Sequence, residues 1–539
     1  MGQAMNDYII VGGGSAGCVL ANRLSADPAV KVTLIEAGPE SNSVFYRMPA
    51  GFFRLMQTGK GNWNYETTPQ PGLNGRTMYV PRGKVLGGSS SINGLVHVRG
   101  NAGDFDRWAQ LGNFGWSYAD CLPYFKRSED YAGGASEHRG ANGPIKVSEG
   151  PDLAAMSPVA KAMVEAAIEA GHRYNPDHNG GFQDGFGPAS GNFGDGIRQS
   201  AYACYIRTVA DRPNLTVLTG TQVSRILING TRATGVEVVQ GGRTRTLSAE
   251  REVILSGGAI HSPQILQLSG IGNPDLLSQH GIPVVADLPA VGENLKDHLA
   301  VTVQETITQP WGALAFVQPI AAAKALLQYL LFKSGPTLSN GLEAMGFVKS
   351  RPDLEYPDIQ YHLPLLMYSD HGRQIVQREG FMFHSTDCQP ESRGTVRIRS
   401  ASISEAPLID PNYLSSEDDM RALRAAIRLA REVIAQPALE SLRDAELAPG
   451  PDCTSDADLD AYIRSTAISV YHHVGTCRMG TDAAASVVAP DLKVHGLDGL
   501  RVVDASIMPD IVTGNTNAAT IMIAEKASDL ILGKRFAGE

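Results

Sequence analysis

Apolar and polar positions fall along this chain in short blocks whose period shifts between about two and about 3.6 residues, the mark of strands alternating with helices. Residues 7–11 are a β-prone run ending in Gly12-Gly13-Gly14-Ser15-Ala16-Gly17, and residues 18–24 take on helical character. A second apolar run, 30–35, closes on Glu36. Further along, 359–363 and 396–398 alternate as half-buried strands do, while 418–434 and 456–464 space their apolar residues as amphipathic helices. The expected class is α/β, α+β overall. A chain of 539 residues is too long for one core and should form two or three lobes.

One block breaks the alternation. Residues 313–332 are apolar for long enough to span a bilayer, but Gln318, Pro319, Lys324 and Gln328 interrupt them. A spanning helix is not expected. A core or interface helix is the first reading, and a peripheral membrane-facing patch the second. The start of the chain runs directly into the first strand without the basic region and cleavage site of a signal peptide, and residues 1–5 offer an alternative start.

Composition narrows the function. A net charge of −10 with no Lys/Arg cluster argues against nucleic acid as a partner. Six cysteines without CxxC spacing give neither a metal site nor a disulfide framework, so a reducing, cytoplasmic setting is expected, with membrane association left open. No metal is expected.

The first strand, the glycines, the helix, the second strand and the acid come in the order of a Rossmann unit. Gly12 allows the tight turn, Gly14 lets backbone approach a pyrophosphate, and Gly17 packs helix on strand. Ser15 and Ala16 open the helix, whose free amides can hold phosphate. Glu36, nineteen residues after Gly17, is placed to accept hydrogen bonds from ribose hydroxyls. An acid there favours an unphosphorylated ribose, hence FAD or NAD rather than NADP.

Residues 83–100, GKVLGGSSSINGLVHVRG, and 258–272, GAIHSPQILQLSGIG, resemble the two signature motifs of the glucose-methanol-choline (GMC) family of FAD-dependent oxidoreductases. The second motif agrees at Gly258, Ser262, Pro263, Ile265, Leu266, Ser269, Gly270 and Gly272. The first departs at His97, where an aromatic residue or alanine is usual. Residues 502–527 also resemble the family, so the likeness runs from about residue 6 to 533. It implies a Rossmann-like FAD lobe from 1–155, 200–305 and 465–539. Interleaved with it would be a substrate lobe, 156–199 and 306–464, on a mainly antiparallel six-stranded sheet.

The resemblance also implies site residues. Gly88, Ser89, Asn93, Gly94 and Val96 would line the cofactor, Val223 would meet the adenine through its backbone, and Asp504, Ala505 and Asn517 would lie on the flavin side. For Val223 alone, core packing is an equal reading. Many oxidases of the family bond a histidine of this loop to flavin; in choline oxidase it lies immediately before the position of Asn93, and here that position is Ile92, which implies non-covalent FAD. A helix over about 517–532 would begin beside the flavin, its positive end favouring negative charge there.

In the segment SVYHHVGTCRMG (469–480), His472 aligns with the family's catalytic histidine and His473 with a proline. In an extended segment adjacent side chains face opposite ways, so only one of the two can face the flavin. His472 is assigned as general base, with hydride transfer to flavin N5 and Asn515 positioning the substrate oxygen, since an amide can donate but not take a proton. The bland reading of Asn515 is a turn or helix cap. Glu343 lies near the glutamate that balances a trimethylammonium group in the choline-oxidising branch. Gln389 or a neighbour stands where that branch has a second pocket histidine. The expected reaction is therefore oxidation of a primary alcohol to an aldehyde by a dehydrogenase, with a quinone, an artificial dye or O2 as electron acceptor. The alternatives are an oxygen-using oxidase, or a lyase or photodecarboxylase on the same fold. A homo-oligomer stays open.

Overall fold

The computed structural model describes residues 6–534; the alternative start at residues 1–5 lies outside them. Two seven-stranded sheets organise the chain. In the first, the strands run in the order Leu215–Leu218, Val32–Ile35, Asn6–Val11, Arg243–Leu255, Arg232–Gln240, Thr221–Asn229, and Leu500–Val502 adds to Arg243–Leu255. Val32–Ile35 is buried at every position, as a parallel strand covered on both faces must be. Arg243–Leu255 serves two kinds of neighbour. Its largely exposed first half pairs antiparallel with Arg232–Gln240, whereas its buried end lies parallel to residues 9–11 and to Leu500–Val502.

The helix Ser15–Leu24 starts three residues before the predicted stretch and packs against the C-terminal helix Thr516–Leu532. Glu525 locks this layer from a fully buried position. It receives Arg23 at 2.7 Å, Arg127 at 2.8 Å and the Tyr205 hydroxyl at 2.8 Å.

The second sheet is antiparallel throughout. Its order is Arg443–Ala448, Leu299–Ile307, Gly380–Asp387, Ile359–His362, Ala344–Val348, Gly185–Pro188. The short strand Ile468–Ser469 pairs with Leu299–Ile307 and makes seven strands where six are expected. Alternation divides its faces. Tyr361, Phe381 and Phe383 enter a core shared with the helices Glu417–Ile434 and Pro158–Glu169, while Gln360, His362 and His384 turn the other way.

Residues 313–332 depart from the core-helix expectation. Gln318, held extended before Pro319, splits them into Leu314–Val317 and Pro319–Phe332. In the longer helix only Ala325 and Tyr329 are buried; Ile320 is 74% and Phe332 72% exposed. Among the described residues no helix is long and apolar enough to cross a membrane.

Candidate active site

A cavity of about 1190 Å³ lies between the two sheets, larger than the roughly 300–1,000 Å³ of a usual small-ligand site. Every cofactor-side residue singled out in the sequence lines it except Gly17. Gly17 lies beneath the turn, where an added Cβ would stand 1.9 Å from the Gly12 carbonyl oxygen. Gly12 has φ +106°, and its own Cβ would strike Ser256. Gly14 is different: nothing stands within 4 Å of its Cβ position. It caps a helix with no side-chain cap and no acid in its first turn, so free amides point into open space. That cradle fits a pyrophosphate.

The loop 83–94 closes over this turn. Gly87 N–H donates to the Gly13 carbonyl at 2.7 Å, and a Cβ on Gly88 would meet Gly14 at 2.7 Å. Residues Gly88–Ser91 form one 3-10 turn. Asn93 and the Ser90 carbonyl are held by the buried Arg198, which sequence reasoning missed. Asn340 donates to the Gly94 carbonyl, and Val96 bridges to Gly191. Ser15 Oγ donates to Asn517 Oδ1 at 2.8 Å, tying the two helix starts together.

Two carboxylates are already engaged by backbone. Glu36 accepts from Gly13 N–H at 3.0 Å and Gly38 N–H at 2.7 Å; burial nevertheless pushes its pKa up to about 7. Asp504 accepts from Gly258 N–H and Ser262 Oγ on one oxygen and from Ser506 N–H on the other. Val223 is buried in its strand yet reaches the cavity edge.

At the opposite end the cavity wall is made of histidines. His472 Nε2 is 3.1 Å from Asn515 Nδ2, and its Nδ1 is 2.9 Å from His298 Nδ1. Asn515 does occupy the cap position of Thr516–Leu532, but its side chain caps nothing. Its Oδ1 accepts from Gln360 Nε2 at 3.1 Å. Burial, and then the neighbouring His298, His362, Arg82 and His473, hold the His472 pKa well below the ordinary value.

The segment is not an extended strand, as the alternation argument assumed. Tyr471 has φ +69°, and Asp297 anchors the turn by accepting His472 N–H at 2.7 Å. The same carboxylate accepts from Ser469 and Tyr413 and stands 3.5 Å from His473 Nε2. His472 and His473 still part company: the first meets Asn515, the second packs on Asp297. Burial holds His473 down to about 4, against the pull of Asp297.

Gln389 is a correction. It is exposed, 3.3 Å from Thr513, and does not line the cavity. His362 and His384, directly opposite each other on paired strands, do line it, as do Tyr368 and His371. Alternation in 359–363 was the available signal for His362. Glu343 lines the cavity and is paired: it accepts Ser157 N–H at 2.7 Å. His97, the odd residue of the first motif, sits 3.3 Å from the buried Glu129, which also binds Arg99 and Arg139. Among the described residues no cluster could hold a metal ion.

Residues 6–300 match the N-terminal model, and 390–524 the C-terminal model, of the GMC oxidoreductases. The chain is 45% identical to the mitochondrial choline dehydrogenase of Homo sapiens over 98% of its own length and 90% of that protein's. It is also 45% identical to the oxygen-dependent choline dehydrogenase of Photobacterium profundum, over 98% and 93%. Among solved structures it resembles pyridoxine 4-oxidase from Mesorbium loti (TM-score 0.88, 32% identity, 98% and 100% covered). It also resembles a variant of Aspergillus oryzae formate oxidase (TM-score 0.92, 27% identity, 99% of each chain).

Proposed function

The chain belongs to the GMC oxidoreductases, FAD-binding enzymes acting on CH–OH donors, and from that premise we propose that it oxidises a primary alcohol to an aldehyde with His472 as base and Asn515 holding the substrate oxygen. When bound, FAD supplies the acceptor for the two electrons that leave the alcohol carbon. Gly12, Gly14, Ser15 and Ala16 would hold its pyrophosphate and Glu36 its ribose. Val223 would take the adenine, and Gly88, Ser89, Asn93, Gly94, Val96, Asp504, Ala505 and Asn517 the flavin side. Ile92, which lines the cavity, offers no nucleophile, so the cofactor is held without a bond and leaves the protein on denaturation. Of the described residues, the cofactor unit takes those in 1–155, 200–305 and 465–539 and the substrate unit 156–199 and 306–464, except that the strands Leu299–Ile307 and Ile468–Ser469 go with the second sheet and so with the substrate unit.

One contact carries the reading. An amide NH2 can only donate, so the 3.1 Å approach of Asn515 Nδ2 means that His472 Nε2 presents a lone pair. Low pKa keeps that ring neutral at working pH. An alcohol hydroxyl entering between the two would accept from Asn515 and give its proton to Nε2. The proton leaves oxygen as the carbon gives up one hydrogen together with both electrons of that C–H bond, and the carbonyl forms.

The test is anaerobic mixing of the FAD-loaded protein with a panel of primary alcohols, choline among them because the relatives are choline dehydrogenases. Bleaching of the flavin absorbance by any member is expected. Cleavage of a cyanohydrin or, under light, of a fatty acid with no bleaching by any alcohol would replace this reading with a lyase or photodecarboxylase. Turnover with a quinone or dye exceeding turnover with O2 would mark a dehydrogenase.

The exposed face of Pro319–Phe332 is assigned to an anionic lipid surface. Residues 309–342 carry Lys324 and Lys333 and no acid, in a chain of net charge −10, and the same stretch lines the cavity through Phe316, Ala322 and Leu326. Sedimentation with anionic vesicles, lost in Ile320→Glu/Phe332→Glu, is expected; dimerisation without vesicle binding would assign that face to a second copy.

A further inference from the structure

Below His472 lies a buried histidine that touches neither the cavity nor solvent. His298 Nδ1 is 2.9 Å from His472 Nδ1, and His298 Nε2 is 3.0 Å from the Cys388 carbonyl oxygen. Sheet register brings the three together. His298 immediately precedes the strand Leu299–Ile307, Cys388 follows its partner Gly380–Asp387, and Leu299 pairs with Ser469, three residues before His472.

Hydrogen-bond polarity then propagates one way. A carbonyl oxygen only accepts, so His298 Nε2 must carry a proton. The ring is fully buried, and burial lowers its pKa to about 4, so it is neutral and its Nδ1 is a bare lone pair. A lone pair 2.9 Å from His472 Nδ1 requires a proton on that atom. His472 Nε2 is thereby left unprotonated, the state its contact with Asn515 demands from the other side. The main-chain carbonyl specifies the tautomer, and the amide contact on the far side of the ring agrees with it.

We propose that His298 is a positioning residue that reads the Cys388 carbonyl and holds His472 in the Nδ1–H tautomer, so that its Nε2 faces the substrate as a base. This rests on the assignment of His472 as base and adds what keeps it competent. Once Nε2 has taken the alcohol proton, the resulting imidazolium donates from Nδ1 to a neutral ring. Positive charge is thus shared inward, while the proton on His298 Nε2 has only a carbonyl to face and goes no further.

The experiment combines kinetics with nitrogen NMR on the FAD-loaded enzyme. In His298→Phe, which keeps a ring but no nitrogen, the flavin reduction rate should fall about 10- to 100-fold, the range typical of partners that orient a histidine, with FAD content and KM little changed. His298→Asn restores an acceptor at the Nδ1 position and should recover most of the loss. With histidine rings labelled in 15N, wild-type protein should show His472 protonated at Nδ1 alone and a through-bond coupling across Nδ1–H···Nδ1. A proton on His472 Nε2, an unchanged rate in His298→Phe, or an Asn variant as slow as the Phe variant would overturn the proposal. The same NMR spectrum stands if the Phe variant fails to fold. His472→Ala separates the two claims: if its reduction rate is unchanged, the base assignment itself is wrong.

Discussion

The two ends of the cavity are built from opposite materials. The turn at residues 12–17 is made of main chain, where missing side chains create the space and the donors. The histidine end is made of side chains, held by residues far apart in sequence. At the first end, a substitution acts by adding atoms; at the second, by removing or misdirecting a proton-bearing group.

The sharpest contrast is therefore between neighbouring glycines. Gly17→Ala places a Cβ 1.9 Å from a main-chain oxygen that cannot retreat without moving the strand, so folded, FAD-containing protein should be lost almost entirely. Gly14→Ala meets nothing within 4 Å and should leave a folded protein with weakened FAD binding. Flavin absorbance per folded chain, with circular dichroism for the fold, tells the two apart. Equal behaviour of both variants would break the distinction.

At the other end, Asn515→Leu keeps bulk but removes the donor. The flavin reduction rate should drop about 10²- to 10³-fold, the cost of losing one hydrogen-bond donor to a reacting oxygen, at unchanged FAD content. Stopped-flow absorbance checks this. If Asn515 served only as a helix cap, Asn515→Ser would restore the rate, whereas the account predicts that it does not.

The smallest expected effect concerns pH. Because burial holds the His472 pKa below the ordinary 6.5, the neutral base persists as pH falls, and the rate of reduction should stay level from pH 8 down through 6.5. The acid limb belongs below that. Burial sets the sign, and the positive charge of Arg82 adds to it. A fall centred above pH 6.5 would mean that another group titrates.

The same contrast explains what could be read in advance. Gly12, Gly14, Gly17 and Glu36 are constrained by local geometry, so their order along the chain carries the information, and the first strand, helix and second strand follow. His472 and Asn515 were accessible through family resemblance alone. His298, Asp297 and Gln360 were not, because only the pairing of Leu299 with Ser469 and of Gly380–Asp387 with its neighbours brings them to one place. Gln389 failed for that reason: it lies past the end of its strand, two positions beyond Asp387, and faces out. The helix Pro319–Phe332 defeated the core reading because hydrophobicity in sequence does not say which elements will cover it. Here they cover Ala325 and Tyr329 only.

Most direct is a comparison of His472→Ala with His473→Ala, each loaded with FAD and mixed anaerobically with an alcohol that reduces the wild type. The account predicts that flavin reduction slows by about 10²- to 10⁴-fold in His472→Ala with FAD content intact, and far less in His473→Ala. The reverse order, or no loss in either, would contradict it.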